Sequence, residues 1–507
     1  MAQVNKIDSN ITGLAYAAET SLGVLGGSPT WKRLEPNSYS DFGGNNTKVA
    51  PNPINPSRQR KKGVLTDLDS DGGFNHDLTF FNLQEMLEAT FFANMRRKGG
   101  GSVSGVTALD AYEIANTSGI VAGSLVKGFN FTNSANNSVN VVDSVAANTS
   151  VTIDGSLATE ASPPTGARIQ VVGFQAAAGD IDVDIAGDLP AITSTTVDFT
   201  TLGLVIGQWI FLGGDTTASR FTGATNNGFK RIHSIAENRI VLDKSVSTMT
   251  AETTTTETIQ IFFGDVLRNE TGSDIVRKSF HLERTLGAPD SAQPTEIQSE
   301  YLLGAIPNEF TLNVPSANLL NVDFTFAAIN NLQRTGEQGP LQTNVQIPER
   351  ADVYNTSSDF SRIKMATVVS GEAAPQPLFA FITEATININ NNLTANKAVG
   401  LLGAFDMTAG TFMVSGSITA YFANVEAVRS VRENTDVTID MVLVKNNQGF
   451  VLDLPLISLG DGRLNVEQDQ PITLPLSMDA ATAEDIAPGM DYTAMMTFFA
   501  YLPSVAE

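Results

Sequence analysis

The stretch Asp67-Leu68-Asp69-Ser70-Asp71-Gly72 comes closest to a chemical signature. Carboxylates at positions one, three and five with Gly at six begin a calcium loop. The twelfth position, where a bidentate Glu is needed, is Leu78. The flank Lys61–Thr66 reads as strand and not as helix, so Asp67, Asp69 and Asp71 are expected in an acidic turn with no metal. His76, His233 and His281 are scattered and form no HExxH spacing. No GxSxG elbow and no GxxxxGK[ST] phosphate loop occurs. The chain has no cysteine, which removes thiolate nucleophiles, zinc-thiolate sites, iron–sulfur clusters and disulfides. No enzymatic activity and no cofactor are expected.

The rest of the composition points to a structural protein. Acidic residues number 54 and basic ones 31 in 507, a net charge of −23. The acid is spread along the whole chain, as a surface property and not a tail. Gripping nucleic acid takes clustered Lys and Arg, so such a surface suits a protein that DNA passes without sticking. Met1–Asp8 has no apolar core of a signal peptide, and no window approaches the ~20 apolar residues of a membrane helix. The densest basic cluster is Arg58-Gln59-Arg60-Lys61-Lys62, read as an arm that docks on an acidic neighbour.

These residues need a scaffold, and the hydrophobic period is mostly two. Phe310–Val314, Val322–Phe326, Thr386–Asn390, Phe412–Phe422 and Val437–Val444 alternate apolar and polar side chains, the pattern of half-buried strands. Asn446–Gly449 reads as a turn into Phe450–Leu454, and Pro455 is expected to end that strand or place it at an edge. Leu83, Met86, Leu87 and Phe91 fit a helix over 83–95 with Asn82 as its N-cap. A second short helix is expected over Val425–Glu433. The Pro-, Gly- and Asn-rich stretch from Glu35 to Pro56 reads as a long loop. The expected class is all-β with one or two small helices.

The middle of the chain repeats. Asn136–Ala146 lines up with Asn226–Ala236 at an offset of 90 residues. Val151–Asp154 matches Ile240–Asp243, Ile169–Val172 matches Ile259–Phe262, and Gly123 matches Gly207. We therefore expect an inserted module at about 101–266, made of two small β repeats (about 101–180 and 181–266), within a discontinuous core of 1–100 and 267–507.

The order of elements outside the insertion resembles the major tail tube protein of long, non-contractile-tailed bacteriophages. The residues that carry the likeness are Glu19–Gly23 leading to Trp31, Arg58-Gln-Arg before the Gly-rich turn Asp69–Gly73, and the helix at 83–95. Ser279-Phe-His-Leu-Glu-Arg284, Tyr301–Ile306, Gly410–Phe422 and the Gly449 hairpin complete it. The resemblance implies a tail-tube β-sandwich or barrel core. Six copies would form a ring, and rings would stack helically on a tape-measure protein between a tail terminator and distal tail or baseplate proteins. Duplex DNA would run through the lumen without specific binding and without membrane insertion. It implies a virion protein made in the host bacterial cytoplasm, with the inserted module outside the tube. On this reading Asp323, Thr325, Asn388, Asn390, Ser415, Ser417, Thr419, Thr438 and Asp440 are lumen-lining candidates. Val322, Phe324, Ile387, Ile389, Ile418, Val437, Ile439 and Met441 belong to the core. Arg58, Arg60, Lys61 and Lys62 are candidates for contacts between rings or subunits. The competing reading is another self-assembling surface protein: a capsid decoration, S-layer or pilus-like subunit.

Overall fold

A computed structural model describes residues 6–54, 56–57, 59–289, 296–349, 352–368, 372–379, 381–484 and 486–506. The fold is all-β, with two α-helices, Gln84–Phe91 and Glu426–Glu433, among the described residues. The chain divides into two compact units. The first comprises 1–94, 270–356 and 383–418; the second comprises 95–269, 357–382 and 419–507.

In the first unit, five antiparallel strands lie side by side: Ser38–Val49, Val64–Asp77, Asn321–Ala328, Gln298–Val314 and Ile382–Asn390. Alternation gives this sheet one apolar face. Phe74, Phe310, Phe324, Leu312, Ile387 and Ile389 are buried on it. Phe74 and Phe310 flank Phe324 at ring distances of 5.4 and 5.1 Å. Such aromatic pairs contribute about 0.5–1.5 kcal/mol each beyond their buried area. The helix Gln84–Phe91 packs on Gln298–Val314. Asn391 fastens the end of the fifth strand to this layer, donating to the carbonyls of Thr90 (2.9 Å) and Pro307 (3.0 Å).

Four local expectations are corrected. The stretch 35–56 is not a loop: Ser38–Val49 pairs along Val64–Asp77 as a long hairpin. The ladder bulges at two register shifts, Ser40/Gly43 and Thr47/Lys48, and Gly43–Asn46 pair in regular register between them. Asp67–Gly73 is strand, not turn. Gly73 is required there because a Cβ would lie 2.3 Å from the carbonyl oxygen of Phe324. Pro455 does not end its strand, which runs Gln448–Asp461. The proline sits where the ladder shifts register and the strand changes neighbours, from Met495–Phe499 to Thr473–Ala481, so no ladder hydrogen bond is lost. The first helix begins after Leu83, which has helical backbone, and Asn82 caps nothing. The Asn446-Asn447 turn forms as expected, with both residues at positive φ (51° and 60°).

In the second unit, strands between Gly100 and Phe262 form a 12-stranded sheet around one apolar core. The repeated sequence produces repeated geometry. Glu160 accepts from Thr132 N, Asn133 N and Asn136 Nδ2, and Glu252 accepts from Thr222 N, Gly223 N and Asn226 Nδ2. Asn137 brackets Phe131 through both backbone groups, as Asn227 brackets Phe221. Gly123 and Gly207 share a left-handed φ (86° and 83°), and each donates to the carbonyl of the matching residue, Val142 or Ile232, at 2.8 Å.

Candidate lumen face

The opposite face of the five-stranded sheet is polar. Strand register places Ser38, Asn75, Asp323, Thr311 and Asn388 in one row across all five strands. A neighbouring row holds Asp77, Asn321, Asn313 and Thr386, and another holds Gly73, Thr325, Glu309 and Asn390. Asp77, Asp323 and Glu309 give these rows their charge, and no Lys or Arg occupies a position in them. Amides hold the carboxylates in place. Asn75 Nδ2 donates to Asp323 Oδ1 (2.8 Å) and Asn321 Oδ1 (3.1 Å). Asn313 Nδ2 donates to Asp323 Oδ2 (2.7 Å) and Asn321 Oδ1 (3.0 Å). Asn388 Nδ2 donates to Glu309 Oε1 (2.6 Å) and Thr311 Oγ1 (3.0 Å). The result is an ordered, net-negative surface whose amide donors are largely used up. It repels phosphate and offers it no cation.

The other sequence candidates divide. Asp323, Thr325, Asn388 and Asn390 all stand on this face, half-buried. Ser415 and Ser417 lie on the strand Met413–Tyr421, half-buried and exposed respectively, and Thr419 falls in the second unit's share of that strand. Thr438 and Asp440 are not on an open face. Val437–Lys445 is covered on both sides, and Asp440 is fully buried. The alternation that suggested a wet face is overridden because each buried polar residue has partners. Asp440 meets Lys244 Nζ (3.1 Å) and Arg362 Nε (2.6 Å). Asp453, its register partner on Gln448–Asp461, meets Arg231 NH1 at 3.0 Å. Arg231 also holds Asp243 at 3.0 Å. Three carboxylates and three cations thus share one buried cluster. Burial would raise Asp243, but the Arg231 charge and the two hydrogen bonds that Arg231 donates hold it at about 2. Burial pushes Asp453 up and Lys244 down.

The acidic segment is occupied by a lysine. Lys397 Nζ sits 2.6 Å from both Asp67 and Asp69. The hydrogen bond from Lys397 pulls the Asp67 carboxyl down, whereas burial beside Asp41 and Asp69 pushes Asp71 up. Arg60, Lys61 and Lys62 are exposed in the connection of the Ser38–Asp77 hairpin; Arg58 lies outside the described residues. Sequence reasoning missed the role of Glu19. Its buried carboxylate accepts from Gly23 N (2.7 Å), Gly304 N (2.8 Å), Ser279 Oγ (2.5 Å) and His281 Nδ1 (2.5 Å). Burial opposes its ionisation, but these donors outweigh it and hold Glu19 below the usual range. The available signal was the spacing Glu19–Gly23, noticed only as part of a likeness.

The first unit is thus an antiparallel sheet with a polar, acidic face, extended by the long Ser38–Asp77 hairpin. The family model described as phage tail tube protein matches residues 9–217 and 170–480, and the chain belongs to that family. It is therefore a structural protein of the virion tail, built to assemble with itself into a tube. A comparison with curated proteins finds no match. Among the described residues no helix is long and apolar enough to cross a membrane.

Proposed function

We propose that this chain is the ring-forming subunit of a hollow tail tube and that its polar sheet face lines the lumen through which DNA leaves the capsid. The observation that carries the reading is the registered acidic face, with Asp77, Asp323 and Glu309 held by amides and no cation among them. If the fifth strand, Ile382–Asn390, is counted with the neighbouring sheet, each of six such sheets gives four strands and the ring closes a barrel of about 24 strands. At a strand spacing of ~4.8 Å and a tilt of ~40°, it is roughly 50 Å across at the backbone and wide enough for a duplex about 20 Å thick. Rings stack helically on a tape-measure protein, bounded by a terminator and by distal tail or baseplate proteins, after synthesis in the host cytoplasm. The 101–266 module decorates the outside. Arg60, Lys61 and Lys62, with Arg58, bridge to acidic surfaces of neighbouring subunits. Such exposed pairs are worth only about 0–1 kcal/mol each and act on register more than on stability.

The test is Asp323→Lys with Glu309→Lys in assembled tubes. Wild-type tubes should not retain short duplex DNA in cosedimentation. Variant tubes of unchanged morphology should retain it, and lose it as salt is raised. Variant tubes that still ignore DNA would remove this face from the lumen.

A further inference from the structure

The two units repeat one another. In the first, Gly13–Ser21 pairs with Phe280–Gly287, which pairs with the first half of Gln298–Val314. In the second, Phe360–Thr367 pairs with Val437–Lys445, which pairs with the first half of Gln448–Asp461. The second half of each long strand pairs with the next strand, Asn321–Ala328 or Thr473–Ala481. The strand after that, Asn330–Arg334 or Met495–Phe499, returns to the first half. Each outer strand also meets a short segment: Trp31–Leu34 on Gly13–Ser21, and Pro377 bridged to Ala366. A two-strand hairpin follows in each repeat. Asn37 N donates to Asn75 O at the foot of the first, and Tyr421 N donates to Phe381 O at the foot of the second. One eight-residue helix comes next, closed by a left-handed residue, Phe92 or Asn434. Both long strands carry a proline, Pro307 or Pro455, near the point where they change partners.

One difference between the repeats is informative. In the first unit the sheet is completed by a strand that, in chain order, opens the second repeat's hairpin. Ile382–Asn390 lies on Gln298–Val314, with Phe310 facing Ile389 on one edge and Phe324 on the other. In the second unit, Ile457 meets Val437 on one edge and Ala480 on the other. Beyond Ile457, the Val437 edge of Ser458–Asp461 has no strand among the described residues. The matching hairpin strand of the first repeat, Ser38–Val49, pairs among the described residues only with Val64–Asp77, so its other edge is also open. An open edge is a template for a strand.

We propose that copies of this chain join by repeating in trans the exchange already made within the chain: Ser38–Val49 of one copy adds to the open edge of Ser458–Asp461 in the next. The contact is head-to-tail, so it propagates until a ring closes and leaves no edge exposed. The stoichiometry rests on the tube reading above. Each chain supplies two tube-type repeats, so a ring of six repeats closes with three chains, not the six that the resemblance implied.

The chain has no cysteine, so a disulfide can report the contact without background. Counting from the hairpin feet and the bulge after Ser40, Asn45 corresponds to Asn388, which faces Thr311, the counterpart of Ser458. The full-length Asn45→Cys/Ser458→Cys variant is assembled, oxidised and run under denaturing conditions, with each single variant as control. The expected result is a ladder that stops at a closed three-chain species and is absent from both single variants, with three chains per ring by mass per length. Tubes that hold six chains per ring, or that lack the cross-link, would overturn this inference and leave the tube function standing. No hollow assembly at any concentration, with no cross-link, would overturn both.

Discussion

Replacing Asp440 by Asn separates a buried ion cluster from a wet lumen. The carboxylate is fully buried between Lys244 at 3.1 Å and Arg362 at 2.6 Å, whose side chains are 3% and 9% exposed. The neutral amide keeps the shape but removes one negative charge from a cluster in which Asp243, Asp440 and Asp453 balance Arg231, Lys244 and Arg362. One buried cation is left uncompensated. Removing one partner of a buried pair costs about 3–5 kcal/mol. For a unit of this size that corresponds to a fall in melting temperature of roughly 6–15 °C. The assay is differential scanning calorimetry of the unassembled chain, with Asp323→Asn as control. Asp323 is half-buried, so its replacement should move the midpoint by about 2 °C or less. Replacing Asp440 and Lys244 together by Leu and Met should recover part of the loss. An Asp440→Asn protein that melts with wild type would refute the argument and return Asp440 to the candidates for an open face.

Acid and alkali should act in opposite directions. Glu19 is held below its usual range and Asp243 at about 2, so the stability they contribute is complete above the ordinary carboxylate values and lost as pH falls through them toward 2. Lys230 is pushed down to about 7 by burial and by Arg362, so the unfolded chain binds the extra proton between pH 7 and about 10.5. Melting midpoints at constant ionic strength should therefore drop below pH 4 and rise from pH 7 to 9; a fall across the upper range would contradict the Lys230 assignment. Asn391→Ala leaves the carbonyls of Thr90 and Pro307 without their donor and should cost about 1–3 kcal/mol in denaturant unfolding, and no change would discount that clasp. Lys397→Ala should leave melting unchanged while speeding amide exchange in Val64–Asp77, since both its ion pairs are exposed; unchanged exchange would mean that Lys397 does not hold the hairpin.

Period-two patterning located the strands of the sheet, because a sheet with one apolar face writes its alternation into the sequence. Val322, Phe324, Ile387 and Ile389 alternate with Asp323, Thr325, Asn388 and Asn390, and the structure separates the two sets as that pattern requires. The same reasoning failed at Val437–Lys445. There Thr438 and Asp440 alternate just as cleanly, but both faces are covered. The partners of Asp440, Lys244 and Arg362, are far away in the chain, and period carries no information about distant charges. The Ser38–Val49 strand was hidden for a local reason: Asn, Gly and Asp are depleted in strands, and here they are tolerated in an exposed two-stranded arm with bulges. The matching local geometry at Asn136-Asn137 and Asn226-Asn227 was legible because these residues keep their identity to make the same hydrogen bonds. The larger repeat was not. It survives in strand order, partner switching and helix position, with little residue identity left to align.

The most direct measurement is cryo-electron microscopy of the assembled chain at a resolution that shows side chains. The account predicts a hollow tube whose inner wall is the face bearing Asp323, Glu309 and Asn388, with the 101–266 module outside. A solid fibre or flat sheet, or a tube with that face turned away from the lumen, would contradict it.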